Sequence, residues 1–247
     1  MKTALVTGGS RGIGRATALL LADQGYQVAV NYHQRKAAAE EVVALIHQRG
    51  GKAFSIQADI ANEAQVVAMF ELLDEQGARL HALVNNAGIL FRQASVEELS
   101  TERINRVFAT NITGTFLCCR EAVKRMSQQH GGQGGAIVNV SSAAARTGAP
   151  YEYVDYTASK GAVDTLTKGL SLEVAAHGIR VNGVRPGFIY TDMHADGGEP
   201  GRVDRVAPAI PMRRGGQPEE IARAIYWLLS DEASYITGTI IDAAGGR

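Results

Sequence analysis

Cysteine is scarce in this chain. Its 247 residues hold two, Cys118 and Cys119, side by side in "TFLCCREAV". Adjacent cysteines rarely bridge, and the apolar run around them reads as buried helix, so both are expected to be structural thiols. Neither belongs to a metal-ligand spacing, and no metal is expected. An excess of one charge is also missing: 25 basic residues balance 25 acidic ones. That balance gives no reason to expect attraction to nucleic acid or to an anionic membrane. It leaves self-association open, because near-neutral surfaces repel each other little. No apolar stretch approaches the ~20 residues of a membrane span. The opening "MKTALVTGG" has too short an apolar region for a secretory signal. The chain therefore reads as cytoplasmic. It shows no linker, repeat or low-complexity segment, which predicts one domain over residues 1–247.

What is present is a rhythm. Short apolar runs, "TALVT" (3–7), "YQVAVNY" (26–32), "KAFSIQADI" (52–60), "HALVNNAG" (81–88), "GAIVNVSS" (135–142), "IRVNGVRPG" (179–187) and "GTIIDAAGG" (238–246), read as seven strands. Between them lie amphipathic runs of helical length, at 14–25, 36–51, 62–77, 97–130, 155–177 and 218–231. The alternation predicts an α/β fold, a doubly wound Rossmann-type domain with a mainly parallel sheet covered on both faces. Residues 192–216 break the rhythm. That stretch holds five glycines and three of the chain's six prolines. A segment this long outside regular structure predicts a lid over a site.

"TGGSRGIG" (7–14) sits between the first strand and the first helix. Glycines there permit a tight turn and let a phosphate approach the backbone, and the helix start offers free N–H groups to the anion. The spacing of Gly8, Gly12 and Gly14 is neither the G-x-G-x-x-G fingerprint nor a Walker loop. A glycine turn without a ligand is the plain alternative. Two tyrosines precede a lysine by four positions: Tyr32 with Lys36, and Tyr156 with Lys160. Tyr156 and Lys160 fall on one face of a helix, one turn apart. A free tyrosine titrates near 10, and an adjacent ammonium would lower that value. Tyr32 follows the second strand, where a doubly wound fold holds the adenosine end of a dinucleotide, so the Tyr32–Lys36 pair is expected to do no hydride chemistry.

Several stretches occur in one order: "TGGSRGIG", "NNAG" (85–88), "NVSS" (139–142), "YTASK" (156–160) and "RPGFIYT" (185–191). Together they resemble the short-chain dehydrogenase/reductase family, in its compact group of about 250 residues, over essentially the whole chain. "EYVDYTASKGA" is similar to a bacterial subgroup labelled glucose-dehydrogenase-like. The resemblance implies a nicotinamide-dependent oxidoreductase, usually a homotetramer or homodimer. It implies Tyr156 as general acid and base, and Lys160 as the cation beside it that grips the nicotinamide ribose. Ser142 would polarise the substrate carbonyl, with Ser141 as the alternative. Asn111, in "ATNITGTF", would hold a water that links the lysine to solvent. Tyr151 and Tyr153 would shape the substrate pocket.

For the cofactor, the resemblance implies contacts from Gly8, Ser10, Arg11, Gly12, Ile13 and Gly14 in the turn. Asp59 and Ile60 would meet the adenine, and Asn86, Ala87 and Gly88 the adenosine ribose. Pro186, Gly187, Ile189 and Thr191 would meet the nicotinamide carboxamide. Tyr32 and His33 stand where an acidic side chain would select NAD, and no Asp or Glu occurs from 27 to 39. Arg11, Arg35 and Lys36 would favour a 2′-phosphate, so NADP is expected, with NAD as the alternative. Substrates divide into a small alcohol, sugar or carbonyl and a carrier-bound 3-oxoacyl chain. The carrier would need a basic patch, for which Lys124, Arg125 and Lys168 are candidates. His194, Asp196, Glu199 and Arg202 in the irregular segment favour a polar small molecule. A non-catalytic dinucleotide sensor is the reading from another class, and the joint presence of Ser142, Tyr156, Lys160 and Asn111 speaks against it.

Overall fold

The computed structural model describes residues 1–77 and 79–247. Its strands are β1 (Thr3–Val6), β2 (Gln27–Tyr32), β3 (Lys52–Gln57), β4 (Leu80–Asn85), β5 (Gly135–Val140), β6 (Ile179–Pro186) and β7 (Ile240–Ala243). They form one seven-stranded sheet in the order β3-β2-β1-β4-β5-β6-β7, parallel throughout. The helices are α1 (Gly12–Asp23), α2 (Lys36–Gln48), α3 (Glu63–Glu75), α4 (Thr101–Phe108), α5 (Gly114–Met126), α6 (Ala144–Thr147), α7 (Val154–Val174), α8 (Met193–Asp196), α9 (Arg202–Val206) and α10 (Pro218–Leu229).

Strand parity divides the core. Successive side chains of a strand point to opposite faces. In β1, Ala4 and Val6 join one apolar cluster and Leu5 the other; in β5, Ala136, Val138 and Val140 part in the same way from Ile137. The first cluster takes in Leu21 of α1, Ile46 of α2 and Ile225 of α10. The second takes in Phe70 of α3, Met126 of α5 and Val174 of α7. Both strand faces are buried, which is why these strands read as continuous apolar runs. Cys118 and Cys119 are free thiols inside the second cluster, and burial raises the pKa of both, that of Cys119 to about 12.

The sheet order reverses between β1 and β4. A doubly wound fold opens its ligand crevice at that point, outside the carboxyl ends of the strands. The glycine turn after β1 and Asn86–Gly88 after β4 face each other there. Asparagines inside apolar strands tie the crevice to its supports. Asn85 of β4 donates to Asn139 Oδ1 of β5 at 2.8 Å, and Asn139 donates to Thr167 of α7 at 2.9 Å. This buried chain fixes α7 against the sheet beside the crevice.

Local chemistry moved several boundaries. β3 ends at Gln57 rather than 60, because Asp59 Oδ1 accepts the Ala61 N–H at 3.0 Å and starts a turn. The helical stretch expected over 97–130 is broken by a π-turn at Ala109–Thr113. Residues 192–216 are less irregular than their composition predicts, since they hold α8 and α9. Helices of four and five residues leave no periodic signal to read.

Candidate active site

The glycine turn is held by side chains from three strands. Gly8 and Gly12 have φ of +61° and +52°, values that suit only glycine without strain. The Gly8 N–H donates to Asn31 Oδ1 of β2 at 3.2 Å. Asn31 in turn donates to the Ala58 carbonyl beyond β3 at 3.1 Å. From β4, the Asn86 amide donates to the carbonyls of Thr7 and Gly8 at 2.9 and 3.0 Å. The Thr7 hydroxyl accepts from the backbone N–H groups of Asn86 and Ala87 at 3.0 and 3.1 Å. Gly14 lines no cavity and acts by packing: a Cβ there would stand 2.3 Å from the Gly8 carbonyl oxygen.

A cleft of about 460 Å³ runs over this turn. Gly8, Ser10, Arg11, Gly12 and Ile13 form one wall, and Tyr32, His33, Asp59 and Ile60 close the end over β2 and β3. Asn86, Ala87, Gly88 and Thr191 line its middle. A second cavity of about 410 Å³ continues from it, sharing Ile13, Asn86, Thr191 and Met193. Pro186, Gly187 and Ile189 line this second part with Ser142, Tyr156 and Lys160. All predicted site residues except Gly14 and Asn111 therefore border one continuous crevice. The two-chambered form suits a dinucleotide: a turn in which Gly8 and Gly12 let the pyrophosphate approach the backbone, with a nucleoside pocket on each side.

The two Tyr–Lys pairs have separated. Tyr32 is buried in the nucleotide chamber, whereas Lys36 is exposed and paired with Glu40 at 3.6 Å. Tyr156 and Lys160 are both buried, with the ammonium 5.6 Å from the phenol ring centroid. Lys160 Nζ donates to the Val140 carbonyl at 2.8 Å. Burial pushes the Tyr156 phenol up to about 12, with the Ser142 hydroxyl pulling the other way. Burial also pushes the Lys160 ammonium down to about 8, with Asp164 opposing. The depression of Tyr156 expected from its lysine is thus reversed. Desolvation of the covered phenol is the largest influence on it and outweighs the opposing Ser142 hydrogen bond.

Ser141 and Ser142 do different things. The Ser141 hydroxyl donates to the Lys160 carbonyl at 3.2 Å. Ser142 Oγ accepts the Ala144 N–H at 3.1 Å and lines the cavity, where its hydroxyl hydrogen-bonds the Tyr156 phenol. Asn111 lies in the π-turn, fully buried. Its amide donates to the Ile89 carbonyl and Ser159 Oγ, both at 3.0 Å, and its Oδ1 accepts the Ile89 N–H at 2.8 Å. Both amide hydrogens are committed, so the side chain serves first to lock the π-turn to the strand-end loop. Gly88 brings its backbone up to the gap: a Cβ there would be 3.4 Å from both Asn111 Oδ1 and Lys160 Nζ.

The start of α7 is pinned by a pair the sequence did not reveal. Arg103 of α4 bonds Asp155 through Nε at 2.8 Å and Nη2 at 3.2 Å, and Asp155 Oδ1 accepts the Tyr156 N–H at 2.9 Å. Of the two neighbouring tyrosines, Tyr153 lines the cavity and donates to the Gly197 carbonyl at 3.3 Å, while Tyr151 is exposed and lines neither chamber. Arg11 faces the 192–216 segment, with Nη2 on Asp196 at 2.5 Å and Nη1 3.7 Å from Asp192. Phe188, His194 and Arg202 complete the roof of the second cavity. Asn31 was detectable as a polar residue in a buried strand. Arg103 carries no such signal, since its partner Asp155 lies 52 residues away, and Arg202 was named only for its charge.

Comparison with known proteins agrees with this geometry. A family model described as enoyl-(acyl carrier protein) reductase matches residues 8–247. The chain is 72% identical over its full length, and over all of the relative's length, to the protein named uncharacterized oxidoreductase YgfF of Escherichia coli strain K12. It is 42% identical to the 3-oxoacyl-[acyl-carrier-protein] reductase FabG of Staphylococcus aureus, across 99% of this chain and 97% of that one. A crystal structure of a short-chain type dehydrogenase/reductase from Mycobacterium marinum superposes with a TM-score of 0.90 at 36% identity, covering 99% of this chain and 94% of that one. The chain belongs to the short-chain dehydrogenase/reductase family and is an NAD(P)-dependent oxidoreductase acting on CH–OH and C=O groups.

Proposed function

We propose that the chain transfers hydride between NADP(H) and a small alcohol or carbonyl compound, with Tyr156 as general acid and base. One observation carries the reading: the Tyr156 phenol and the Ser142 hydroxyl bonded to it line the second cavity together with Lys160, and that cavity continues from the nucleotide chamber. The bound nicotinamide supplies or accepts the hydride. Ser142 donates a hydrogen bond to the substrate oxygen and orients it. Tyr156 donates its proton to that oxygen in reduction and takes it back in oxidation. Its raised pKa keeps the phenol protonated at neutral pH, which suits reduction; oxidation gains as pH rises. Lys160, anchored on the Val140 carbonyl, holds its ammonium 5.6 Å from the centre of the phenol ring. Asn111 keeps the π-turn closed behind it.

The NADP preference rests on the nucleotide chamber. Arg11 and Arg35 line it, and no Asp or Glu follows β2 up to residue 39, the carboxylate at this end being Asp59 beyond β3, 3.8 Å from His33. Residues 192–216 act as the substrate lid. Assembly as a homotetramer or homodimer would use α5 and α7, where Phe116 and Leu172 expose apolar side chains. A carrier-bound 3-oxoacyl substrate, as the name of the Staphylococcus aureus relative implies for that protein, is less well supported. Glu121 binds both Lys124 and Arg125, and Asp74 also binds Arg125, so two of the three candidate docking cations, Lys168 excepted, are paired within the chain.

A screen at 340 nm tests the reading. NADPH and NADH are each offered with small aldehydes, ketones and oxo acids, with an acetoacetyl thioester, and with an enoyl thioester. Turnover is expected with a small carbonyl and NADPH. NADPH binding with no turnover across the panel would make the chain a sensor and overturn the proposal.

A further inference from the structure

One side chain in the roof of the second cavity is unfinished. Arg202, the first residue of α9, is buried, with 7% of its side chain exposed. Its guanidinium stacks over Tyr153 at 4.7 Å and Phe188 at 5.4 Å, two rings that line the cavity. Nη2 is bonded to Glu152. Nε and Nη1 are buried with no hydrogen-bond partner among the described residues. Buried guanidinium N–H groups without acceptors are costly and rare in native proteins. A merely structural arginine, placed to tie the lid to the start of α7, would have its donors filled.

The surroundings decide what is missing. Glu199, the other nearby carboxylate, is taken by Arg205 and Gln93. His194 stacks on Phe188 and has its Nε2 on the Ile189 carbonyl at 3.0 Å. Its pKa is lowered by burial and, secondarily, by the charge of Arg202, so it offers no competing charge at neutral pH. Arg247 brings a second guanidinium to the Phe188 ring, at 4.9 Å. The charged side chains lining this cavity among the described residues are Lys160, Arg202 and Arg247 against Glu152. A chamber lined in this way attracts an anion.

We infer that Arg202 is the substrate's anion anchor, and that the substrate is a hydroxy or oxo acid whose carboxylate accepts from Arg202 while its alcohol or carbonyl carbon faces Ser142 and Tyr156. The inference rests on the hydride-transfer reading of the same cavity. A carboxylate fits better than a phosphoryl group. Glu152 already offsets part of the guanidinium charge, leaving a site matched to a monoanion. Tyr153 and Phe188 hold the guanidinium plane, so little ordering is left for binding to impose.

The test uses the NADP-loaded protein and a panel of hydroxy and oxo acids of two to seven carbons, each paired with its methyl ester. Two readouts are taken: turnover at 340 nm and the thermal shift produced by each compound. At least one acid is expected to bind and turn over about 10- to 100-fold better than its ester. Arg202→Gln should raise KM for the acid by the same factor, leave kcat within a few-fold, and leave the ester unchanged. Arg202→Lys should recover part of the loss. Glu152→Gln, which removes the competing carboxylate, should tighten acid binding a few-fold. Glu152→Gln/Arg202→Gln neutralises the pair together and guards against a variant that fails only because Glu152 is stranded. No acid binding better than its ester, or equal losses for acid and ester in the Arg202 variants, overturns the inference. Acids that shift the melting temperature through Arg202 without turnover would uphold the anchor and sink the hydride-transfer reading instead.

Discussion

The two chambers of the crevice are built differently. The nucleotide chamber is made of strand ends, a glycine turn and backbone groups, braced by Thr7, Asn31 and Asn86. The substrate chamber is roofed by side chains from residues 188–202 and 247, stacked and ion-paired across long sequence separations. The first is a property of the sheet topology, because a parallel sheet that reverses its order leaves such a crevice whatever the substrate. The second is a property of a segment attached to the sheet, which is free to differ between relatives that share the first.

Tyr156→Phe should separate the chambers most sharply. It removes the proton donor and keeps the ring, so kcat should fall by about 10²–10⁴-fold. NADPH affinity, measured by fluorescence titration, should stay within a few-fold of the parent. Turnover retained by the variant would refute the role of the phenol.

Lys160 belongs to the seam and should reveal itself through pH. Its folded pKa of about 8 lies below the unfolded value of 10.5. The unfolded chain therefore binds the extra proton between those values, and its contribution to stability rises as pH climbs from about 8 toward 10.5. Tyr156, raised to about 12 from 10.0, acts in the opposite direction above pH 10. Below pH 8 the buried ammonium carries its full penalty, on the order of 3 kcal/mol. Lys160→Met should therefore raise the melting temperature at pH 7 and lose that advantage by pH 10. A difference that stays flat across this range would mean the lysine is not desolvated.

Gly14→Ala attacks the nucleotide chamber alone. The added Cβ would stand 2.3 Å from the Gly8 carbonyl oxygen and 2.5 Å from Asn86 Nδ2, backbone and braced amide that cannot yield without opening the turn. Stability should fall by about 1–3 kcal/mol. Dinucleotide affinity should drop, while the thermal shift from a substrate-chamber ligand persists. Normal NADPH affinity in this variant would show that the turn does not cradle the pyrophosphate.

The legibility of each chamber in the sequence follows from the same contrast. Strand runs, Gly8 and Gly12 at positive φ, and the Tyr156–Lys160 spacing are local, so short windows exposed them. Asn111 could be flagged because an asparagine within a helical run is unfavourable, and the structure answers with a π-turn. The segment 192–216, proposed as the lid, was recognisable only as a departure from rhythm. α8 and α9 are too short to show a period, and their stability comes from partners such as Glu152 and Arg11 elsewhere in the chain. Charge composition named Arg202 among four lid residues without revealing that it is buried with open donors. The pKa of Tyr156 was misjudged for a related reason: spacing reports a neighbour's charge but not how much water has been removed from both groups.

Arg11 tests the junction between the chambers and should give the smallest effect. It lines the nucleotide chamber yet spends its charge on Asp196 and Asp192 of the lid. Such partly exposed pairs are worth about 0–1 kcal/mol, so a 2′-phosphate can compete for the guanidinium with its own charge-assisted hydrogen bonds. Arg11→Ala should therefore lower the NADP-over-NAD preference in kcat/KM by roughly tenfold, less than a free arginine would give. Asp196→Asn should move the ratio the other way by a few-fold, because it releases the arginine without touching the phosphate site. Opposite shifts would show that nucleotide and lid draw on one side chain, so that NADP binding loosens the roof and NAD does not. A ratio unmoved by both substitutions would assign Arg11 to the lid alone and leave Arg35 as the cation that selects the phosphate.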